Sequence, residues 1–246
     1  MQAQRQTLHM ITTRDRIRHV QARQGMASEI VYPPVMRGQD YVPSQLTDLS
    51  TTKTITFMTR CHPARPLMQA TCAASVAAQT IDDYQHLFLR GPMRESDAYS
   101  PGDGQFAIEH GLTKPWPIEG RYVMVLDDDN MIVYPDFVRE FRDLVETDHP
   151  DMVLFHAEIK GQGIYPWWNH APVPGHIDWM CYAVKRGLWQ KHMKTINNVR
   201  LGARSECNDS RFASFCYQDT KAVIWWNKLV ATTQRGPGRC RPETEF

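Results

Sequence analysis

Apolar and polar positions alternate along the middle of the chain in short blocks that predict strands and helices. Residues 54–59 alternate β-branched and apolar side chains, which predicts a strand. Residues 67–79 are rich in alanine, and apolar residues recur at helical spacing from Leu67, which predicts a helix. Residues 84–89 predict a second strand. This order is typical of the βαβ unit of a parallel sheet.

The pattern continues through the second half of the chain. Residues 122–126 form a run of large apolar side chains that is too short for a helix and predicts a buried strand. Further helices are expected from Pro135 through Val145, over 185–194 and from Asp209 through Tyr217, and further strands at 151–156, 176–184, 222–226 and 228–232. The alternation of the two element types indicates an α/β domain.

Three consecutive aspartates, Asp127, Asp128 and Asp129, follow the predicted strand at 122–126. Like charges this close raise one another's pKa unless a cation relieves them, and Mg²⁺ or Mn²⁺ suits such oxygen ligands. If the strand continues, Asp127 and Asp129 share one face and converge on one ligand, while Asp128 points elsewhere. The alternative is a solvated turn that caps the next helix.

The first fifty residues differ in character from the rest. They lack aliphatic periodicity and carry several prolines, so we expect an N-terminal extension over 1–50 that lies across a main domain at 51–246. Within this extension, residues 14–24 are a candidate for a short helix. Arginines outnumber acidic residues in this arm, which is either a solvated tail or a contact for phosphate.

Composition narrows the class of protein. Hydrophobic residues make up 42% and charged residues 22%, as in soluble globular proteins, and no apolar run is long enough to span a membrane. The N-terminus lacks the apolar region of a secretory signal. Six dispersed cysteines without a C-x-x-C pair indicate reduced thiols, so we expect a cytoplasmic protein. The net charge of +1 does not select a nucleic-acid partner.

Two motifs in this order resemble the nucleotide-sugar glycosyltransferases of the GT-A fold, in particular the large family-2-like group. The first is the end of the predicted helix, Ser75-Val76-Ala77-Ala78-Gln79-Thr80, which is similar to that group's SVLAQT-like stretch. The second is Asp127 and Asp129, which match its DxD motif. The resemblance covers residues 53–232. It implies a single GT-A-like domain with a mainly parallel, Rossmann-like central sheet.

The resemblance also implies a donor site. Thr59 and Arg60, in the loop after the first strand, would line the nucleotide, Asp127 would face the ribose or the metal, and Asp128 is a further candidate for binding the donor. Asp129 would bind Mn²⁺ or Mg²⁺ bridging the diphosphate, and Asp127 would share that ion. The ion would neutralise the charge that builds on the leaving diphosphate. In the C-terminal tail, Arg235 is a candidate diphosphate partner because arginine forks match phosphate oxygens.

Further candidates concern the acceptor and the chemistry. Inverting members of the group carry a carboxylate base before a late helix, which Asp209 matches, and Asp178 is a second candidate as base or acceptor contact. His176 is a candidate third metal ligand. Trp167 and Trp168, in a loop dense in prolines, either stack on sugar rings or pack in the core.

Together these residues predict a metal-dependent glycosyltransferase that moves a sugar from a nucleotide-diphosphate sugar to an acceptor hydroxyl, with inversion favoured. A glycan or small molecule is the expected acceptor, and a modified nucleic acid is the alternative that would use the basic arm. A nucleotidyltransferase on a similar fold is a second reading, although residues 61–66 lack the glycines of its phosphate loop. A non-catalytic glycan-binding domain is a third.

Overall fold

The structure is a computed structural model that describes residues 18–22, 26–31, 53–61, 65–89, 117–166, 171–172, 176–198 and 208–234. For the first two segments it describes the course of the backbone. The strands are β1 Arg18–Ala22, β2 Met26–Val31, β3 Lys53–Arg60, β4 Tyr84–Leu89, β5 Gly120–Val125, β6 Asn130–Ile132, β7 Met152–Ile159, β8 Gly163–Tyr165, β9 Tyr182–Lys185 and β10 Val223–Thr233. The helices are α1 Pro66–Ala77, α2 Phe137–Asp148, α3 Arg186–Asn198 and α4 Asn208–Asp219, with a short 3₁₀ turn at Trp179–Cys181.

The ten described strands form one sheet, in the order β1-β2-β10-β7-β9-β5-β3-β4, with β6 paired to β10 and β8 to β7. Strands β4, β3 and β5 are parallel to one another, and β7 and β10 are parallel to each other. The short β9 lies antiparallel between β5 and β7 and joins these two groups. The predicted α/β class with a mainly parallel central sheet is therefore confirmed.

The predicted βαβ unit consists of β3, α1 and β4. Strands β3 and β4 pair in parallel, from Ile55↔Tyr84 to Arg60↔Leu89. Helix α1 begins with Pro66 at its first turn, where the missing N–H leaves no hydrogen bond unmade. Its buried residues are Met68, Cys72 and Val76, at positions i, i+4 and i+8. The predicted apolar stripe starting at Leu67 is wrong, and the Leu67 side chain is exposed.

Strand β10 corrects a prediction in the late part of the chain. Sequence patterning divided it into two strands at 222–226 and 228–232, whereas the structure has one strand of eleven residues. Its pairing with β7 shifts register between Trp226 and Leu229 and again before Ala231. A bulge of this kind inserts residues without ending the strand, and it interrupts the alternation on which the prediction relied.

The N-terminal region contributes two strands to the sheet. Strands β1 and β2 form an antiparallel hairpin, and β2 pairs with β10 from Val223↔Val31 to Trp226↔Ser28. The helix considered over 14–24 is wrong, because β1 occupies residues 18–22. The pairing of β2 with β10 supplies tertiary contacts that local periodicity does not reveal.

The sheet positions a site at one edge. The carboxyl ends of the parallel strands β3 and β5 lie side by side, because Met58 pairs with Val125.

Large apolar residues from both faces of the sheet and from α2 fill the core; the fully buried ones include Phe57, Phe137, Phe141, Phe155 and Trp225. No helix in the described ranges is long and apolar enough to cross a membrane.

Candidate active site

The acidic residues lie in a turn that follows β5. The strand ends at Val125, and the N–H of Asn130 donates to the carbonyl oxygen of Asp127 at 2.9 Å, closing the turn. The N–H of Asp128 donates to the carbonyl oxygen of Arg60 at 3.3 Å, which ties the turn to the end of β3. The three aspartates therefore lie in a turn and not in a continued strand, yet Asp127 and Asp129 are both partly exposed while Asp128 is buried, which agrees with the expected division of the three side chains.

Arg60 and Asp127 form a two-point ion pair. Nε of Arg60 donates to Oδ1 of Asp127 at 2.5 Å, and Nη2 of the same guanidinium donates to Oδ2. Arg60 is the last residue of β3 and is buried, and its guanidinium also lies 6.0 Å from the ring centre of Trp179. Bidentate arginine–carboxylate pairs have fixed geometry and are stronger than single contacts. Asp127 is thus held firmly by its arginine.

Arg65 forms ion pairs with the other two aspartates of the turn, Asp128 and Asp129. Its Nη1 donates to Oδ1 of Asp128 at 3.1 Å and to Oδ2 of Asp129 at 3.0 Å. The Asp128 side chain is 2% exposed and that of Asp129 is 34% exposed. The turn therefore has one carboxylate buried against an arginine and one at the surface, and Asp129 is the most accessible of the three.

Gln234, at the end of β10, is hydrogen-bonded to the backbone of the acidic turn. Its side-chain Nε2 donates to the carbonyl oxygens of Met68 at 2.9 Å, Asp128 at 3.0 Å and Asn130 at 3.2 Å. Its backbone N–H donates to the carbonyl oxygen of Asp129 at 2.6 Å. One neutral side chain at the end of β10 therefore joins the turn to α1 without adding a cation to it.

Asp178 is a further aspartate that is affected by the charges of the acidic turn. It caps the 3₁₀ turn before β9, accepting a hydrogen bond from the N–H of Met180 at 3.2 Å. Burial raises the pKa of the Asp178 carboxyl to about 8, and the carboxylates of Asp209, Asp127 and Asp129 add to the rise. A carboxyl with this pKa is mostly protonated at neutral pH and can donate a hydrogen bond.

Asp209 lies in the first turn of α4, and its charge acts on the carboxyl of Asp178. Burial raises the pKa of its carboxyl to about 6, while the N–H of Ser210 and the guanidinium of Arg60 oppose the rise and Asp127 adds to it. The phenol of Tyr182 donates to the carbonyl oxygen of Asp209 at 3.1 Å, which fixes the start of α4 against β9. Asp209 is therefore mostly ionised at pH 7 and able to accept a proton.

The structure thus gathers carboxylates from three separate segments, namely the acidic turn, the approach to β9 and the start of α4. Among the described residues, the guanidinium groups of Arg60 and Arg65 pair with the carboxylates of the turn, and Asp178 is mostly protonated at pH 7. In the described part of the chain, no three His, Cys, Asp or Glu side chains are grouped closely enough to hold a metal as they stand. The donor atoms are carboxylate oxygens, which fit Mg²⁺ or Mn²⁺.

Other predicted site residues are placed elsewhere or fall outside the described ranges. Thr59 is fully buried, and its hydroxyl pairs with Nε2 of His86 at 2.7 Å, which links β3 to β4; its part in lining the nucleotide stays a prediction. The ring of His176 lies 6.5 Å from that of Tyr165. Trp167, Trp168 and Arg235 lie outside the described residues.

Two residues of this site were missed by sequence reasoning. Arg65 was assigned only to a loop, although a charge argument could have found it, because three adjacent carboxylates need cations and the segment 60–65 carries two arginines. Gln234 has no comparable signal, since a single glutamine near the end of a strand is unremarkable in sequence. Its partners are far away in the chain and become visible only in the fold.

No protein-family model matches the sequence, and no curated protein matches it. Among solved structures, the chain is similar to S. aureus TarS 1–349, with a TM-score of 0.50, 12% identity and 73% of this chain covered. The chain spans 60% of the length of that structure.

Two further structures are similar to this chain at lower TM-scores. A glycosyltransferase involved in the glycosylation of the major capsid of PBCV-1 gives 0.47 at 12% identity, covering 76% of this chain and 95% of that one. A197 from STIV gives 0.41 at 16% identity, covering 72% and 84%. The described sheet, with its crossover helix and its acidic turn at the end of β5, is the GT-A-like α/β fold that the sequence motifs predicted.

Proposed function

We propose that this protein is a metal-dependent glycosyltransferase that moves a sugar from a nucleotide-diphosphate sugar to an acceptor hydroxyl. The observation that supports it best is the cluster of Asp127, Asp129, Asp178 and Asp209 with Arg60, at the edge where β3 and β5 end. In open α/β sheets this is the edge at which ligands bind. The GT-A-like fold supports the reaction class, and the partly exposed carboxylate oxygens of Asp127 and Asp129 support a divalent cation.

Asp129, with Asp127 beside it, would hold Mn²⁺ or Mg²⁺. When bound, the ion supplies positive charge to the two phosphates that leave together. Asp129 is the better candidate of the two because its carboxylate is the more exposed, whereas Asp127 is held at two points by Arg60. Asp128 is buried, so its part is to anchor the loop and not to contact the donor directly.

Asp209 is the proposed base. Its ionised carboxylate would take the proton of the acceptor hydroxyl as that oxygen bonds to the anomeric carbon and the bond from this carbon to the diphosphate oxygen breaks. Attack on the face opposite the leaving group inverts the anomeric centre. Asp178, mostly protonated at pH 7, would donate a hydrogen bond that orients the acceptor. A glycan or small-molecule hydroxyl is the proposed acceptor class.

A reducing compartment such as the cytoplasm suits the cysteines of the described residues. Cys61, Cys72, Cys181 and Cys216 are free thiols, and all four are buried. Free buried thiols are typical of proteins that are not exposed to an oxidising milieu. We therefore propose a cytoplasmic location.

Ligand-dependent melting followed by product analysis tests the proposal. Wild type, Asp129→Asn and the surface control Arg142→Gln are screened against nucleoside diphosphates and nucleotide sugars, with and without Mn²⁺. We expect a rise in melting temperature that requires both Mn²⁺ and Asp129, because ligands that bind only the folded state stabilise it. If no nucleotide raises the melting temperature of wild type, the proposal is wrong.

Incubation with the nucleotide sugar that binds then separates the enzyme classes. Release of a nucleoside diphosphate supports glycosyl transfer. Release or consumption of pyrophosphate with a nucleoside triphosphate points instead to a nucleotidyltransferase. Binding of sugar without any turnover points to a glycan-binding protein.

A further inference from the structure

We propose that Arg65 is an exchange residue, which pairs with Asp129 in the metal-free protein and with the donor's diphosphate once a divalent cation has taken Asp129. The inference rests on the proposed function and adds to it a phosphate ligand that the sequence motifs do not identify. It follows from three features of the described site, which are the shared contact of Arg65, the unequal burial of its partners and the contrast with Arg60.

The first feature is that one nitrogen of Arg65 serves two carboxylates. Nη1 lies 3.1 Å from Asp128 Oδ1 and 3.0 Å from Asp129 Oδ2. A guanidinium carries five N–H donors in a planar fork, so one of its partners can be replaced while another is kept. Replacement of Asp129 by a phosphate oxygen therefore does not require Arg65 to leave its position.

The second feature is the difference between those partners. Asp128 is buried and stays with Arg65, whose own side chain is 7% exposed. Asp129 is 34% exposed and lies at the surface of the turn. A cation arriving from solvent meets Asp129 first, so the Arg65–Asp129 contact is the one that it displaces, while the Arg65–Asp128 contact keeps the guanidinium in place.

The third feature is the contrast with Arg60, which holds both oxygens of Asp127 through two nitrogens. A ligand that replaced this pair would break two charge-assisted hydrogen bonds at once. At Arg65 it replaces one contact of a shared nitrogen. The structure therefore distinguishes a fixed arginine from an exchangeable one within the same acidic turn.

Electrostatics give the exchange its direction. A divalent cation on Asp129 offsets the negative charge that Arg65 faces on that side, so the guanidinium gains affinity for another anion. A diphosphate bound to the same cation restores negative charge on that side. Arg65 also directly precedes Pro66 at the start of α1, and the positive end of that twelve-residue helix adds to the attraction for an anion.

This exchange predicts opposite effects on two ligands. Loss of Arg65 removes a competitor for Asp129, so Mn²⁺ alone should bind more tightly. The same change removes a phosphate partner, so a diphosphate should bind more weakly when Mn²⁺ is saturating. A residue that merely supports the fold would weaken both.

The experiment measures Mn²⁺ binding by electron paramagnetic resonance and then the binding of methylenediphosphonate, a stable diphosphate, by calorimetry at saturating Mn²⁺. It compares wild type with Arg65→Gln, Arg65→Lys and the surface control Arg142→Gln. For Arg65→Gln we expect the Kd for Mn²⁺ to fall by a factor of about three. We expect the Kd for the diphosphate to rise about tenfold, which is a change of about 1.4 kcal/mol in binding free energy. Arg65→Lys keeps a cation but not the fork, so its diphosphate binding should lie between the two. Arg142→Gln should match wild type.

The outcomes separate this inference from the proposed function. If wild type binds neither Mn²⁺ nor Mn²⁺ with diphosphate, the proposed function fails. If wild type binds both and Arg65→Gln changes neither, or weakens both to the same degree, the exchange role is overturned. Should Arg65→Gln not fold, Arg65→Gln combined with Asp128→Asn removes the buried charge pair together, and the same opposite changes relative to Asp128→Asn alone are required.

Discussion

The backbone N–H of Gln234 lies 2.6 Å from the carbonyl oxygen of Asp129, and the side chain of the same glutamine donates to the carbonyl oxygens on either side of Asp129. The last described strand thereby fixes the backbone of the turn that presents Asp129. Because glutamine is neutral, this support leaves the negative charge of the turn available to a ligand.

Replacement of Gln234 by leucine should therefore loosen the acidic turn. Three carbonyl oxygens lose a donor, so we expect a decrease of about 2 kcal/mol in the free energy of unfolding and several-fold weaker Mn²⁺ binding. Urea denaturation and Mn²⁺ titration measure the two effects. Gln190→Leu, at an exposed position of α3, is the matched control, and equal behaviour of the two variants would contradict the role of Gln234.

The aspartates of the turn should separate stability from binding. Asp128→Asn breaks a buried pair with Arg65 and should lower the free energy of unfolding by about 3 kcal/mol. Asp129→Asn alters a partly exposed pair and should cost about 1 kcal/mol or less, yet abolish Mn²⁺ binding. Thermal unfolding with and without Mn²⁺ tests both, and a larger loss of stability for Asp129→Asn would refute this ordering.

Transfer activity should depend on pH through Asp209 and Asp178. The base must be ionised, so the rate should rise with pH through about 6, and it should fall above about 8 as Asp178 loses its proton. The two groups interact, so these values belong to the pair. Asp209→Asn should lower the rate by about 10² to 10⁴ and remove the acidic limb of the profile. A rate in Asp209→Asn close to that of wild type would exclude it as the base.

His86 should make stability depend on pH. Burial lowers the pKa of this imidazole to about 4 in the folded protein, against 6.5 for an ordinary histidine. The unfolded chain therefore takes up a proton first as pH falls, so stability is complete above pH 6.5 and declines toward pH 4. Between pH 7 and pH 5 the loss from this residue is about 2 kcal/mol.

Urea denaturation of wild type and His86→Gln at both pH values measures this effect. The introduced glutamine side chain does not titrate but can still meet the Thr59 hydroxyl, so the variant should lose less stability than wild type on acidification. Equal losses in the two proteins would show that His86 is not responsible.

Gly120 should not tolerate a larger residue. A β-carbon there would lie 2.3 Å from the backbone nitrogen of Thr56, which cannot move without distorting β3. Gly120→Ala should lower the free energy of unfolding by about 3 kcal/mol. Gly163→Ala is the comparison, because that glycine has a positive φ of 108° but open space around it, and strain alone should cost about 1 kcal/mol. Thermal denaturation of both variants tests the difference.

The local elements of the fold could be predicted because their signals lie within a few residues of one another. The alternation at 54–59 and the alanine-rich stretch after it correspond to β3 and α1, and Tyr84–Leu89 is β4. The three-residue strands β6 and β8 are too short to show a period. Strand β2 depends on pairing with β10, nearly two hundred residues away in the chain, and β1 in turn pairs with β2.

The site could be predicted in its carboxylates but not in its cations. An apolar strand that ends in three aspartates is visible in the sequence, and so are Asp178 and Asp209 once a resemblance suggests where a base should lie. The pairing of Arg60 with Asp127 and of Arg65 with Asp128 and Asp129 depends on how the end of β3 and the start of α1 lie beside the turn after β5. Periodicity does not encode this arrangement.

The short strand β9 has a consequence for how the molecule assembles. It is the element through which β4, β3 and β5 are hydrogen-bonded to β7 and β10, and Asp178 lies just before it. The group β3, α1 and β4 is built from contacts that are local in the chain, so it can form early during folding, whereas β9 must bridge two partners already in place. We therefore expect the carboxylates of the acidic turn and of Asp178 to come together only once β9 has paired with both β5 and β7.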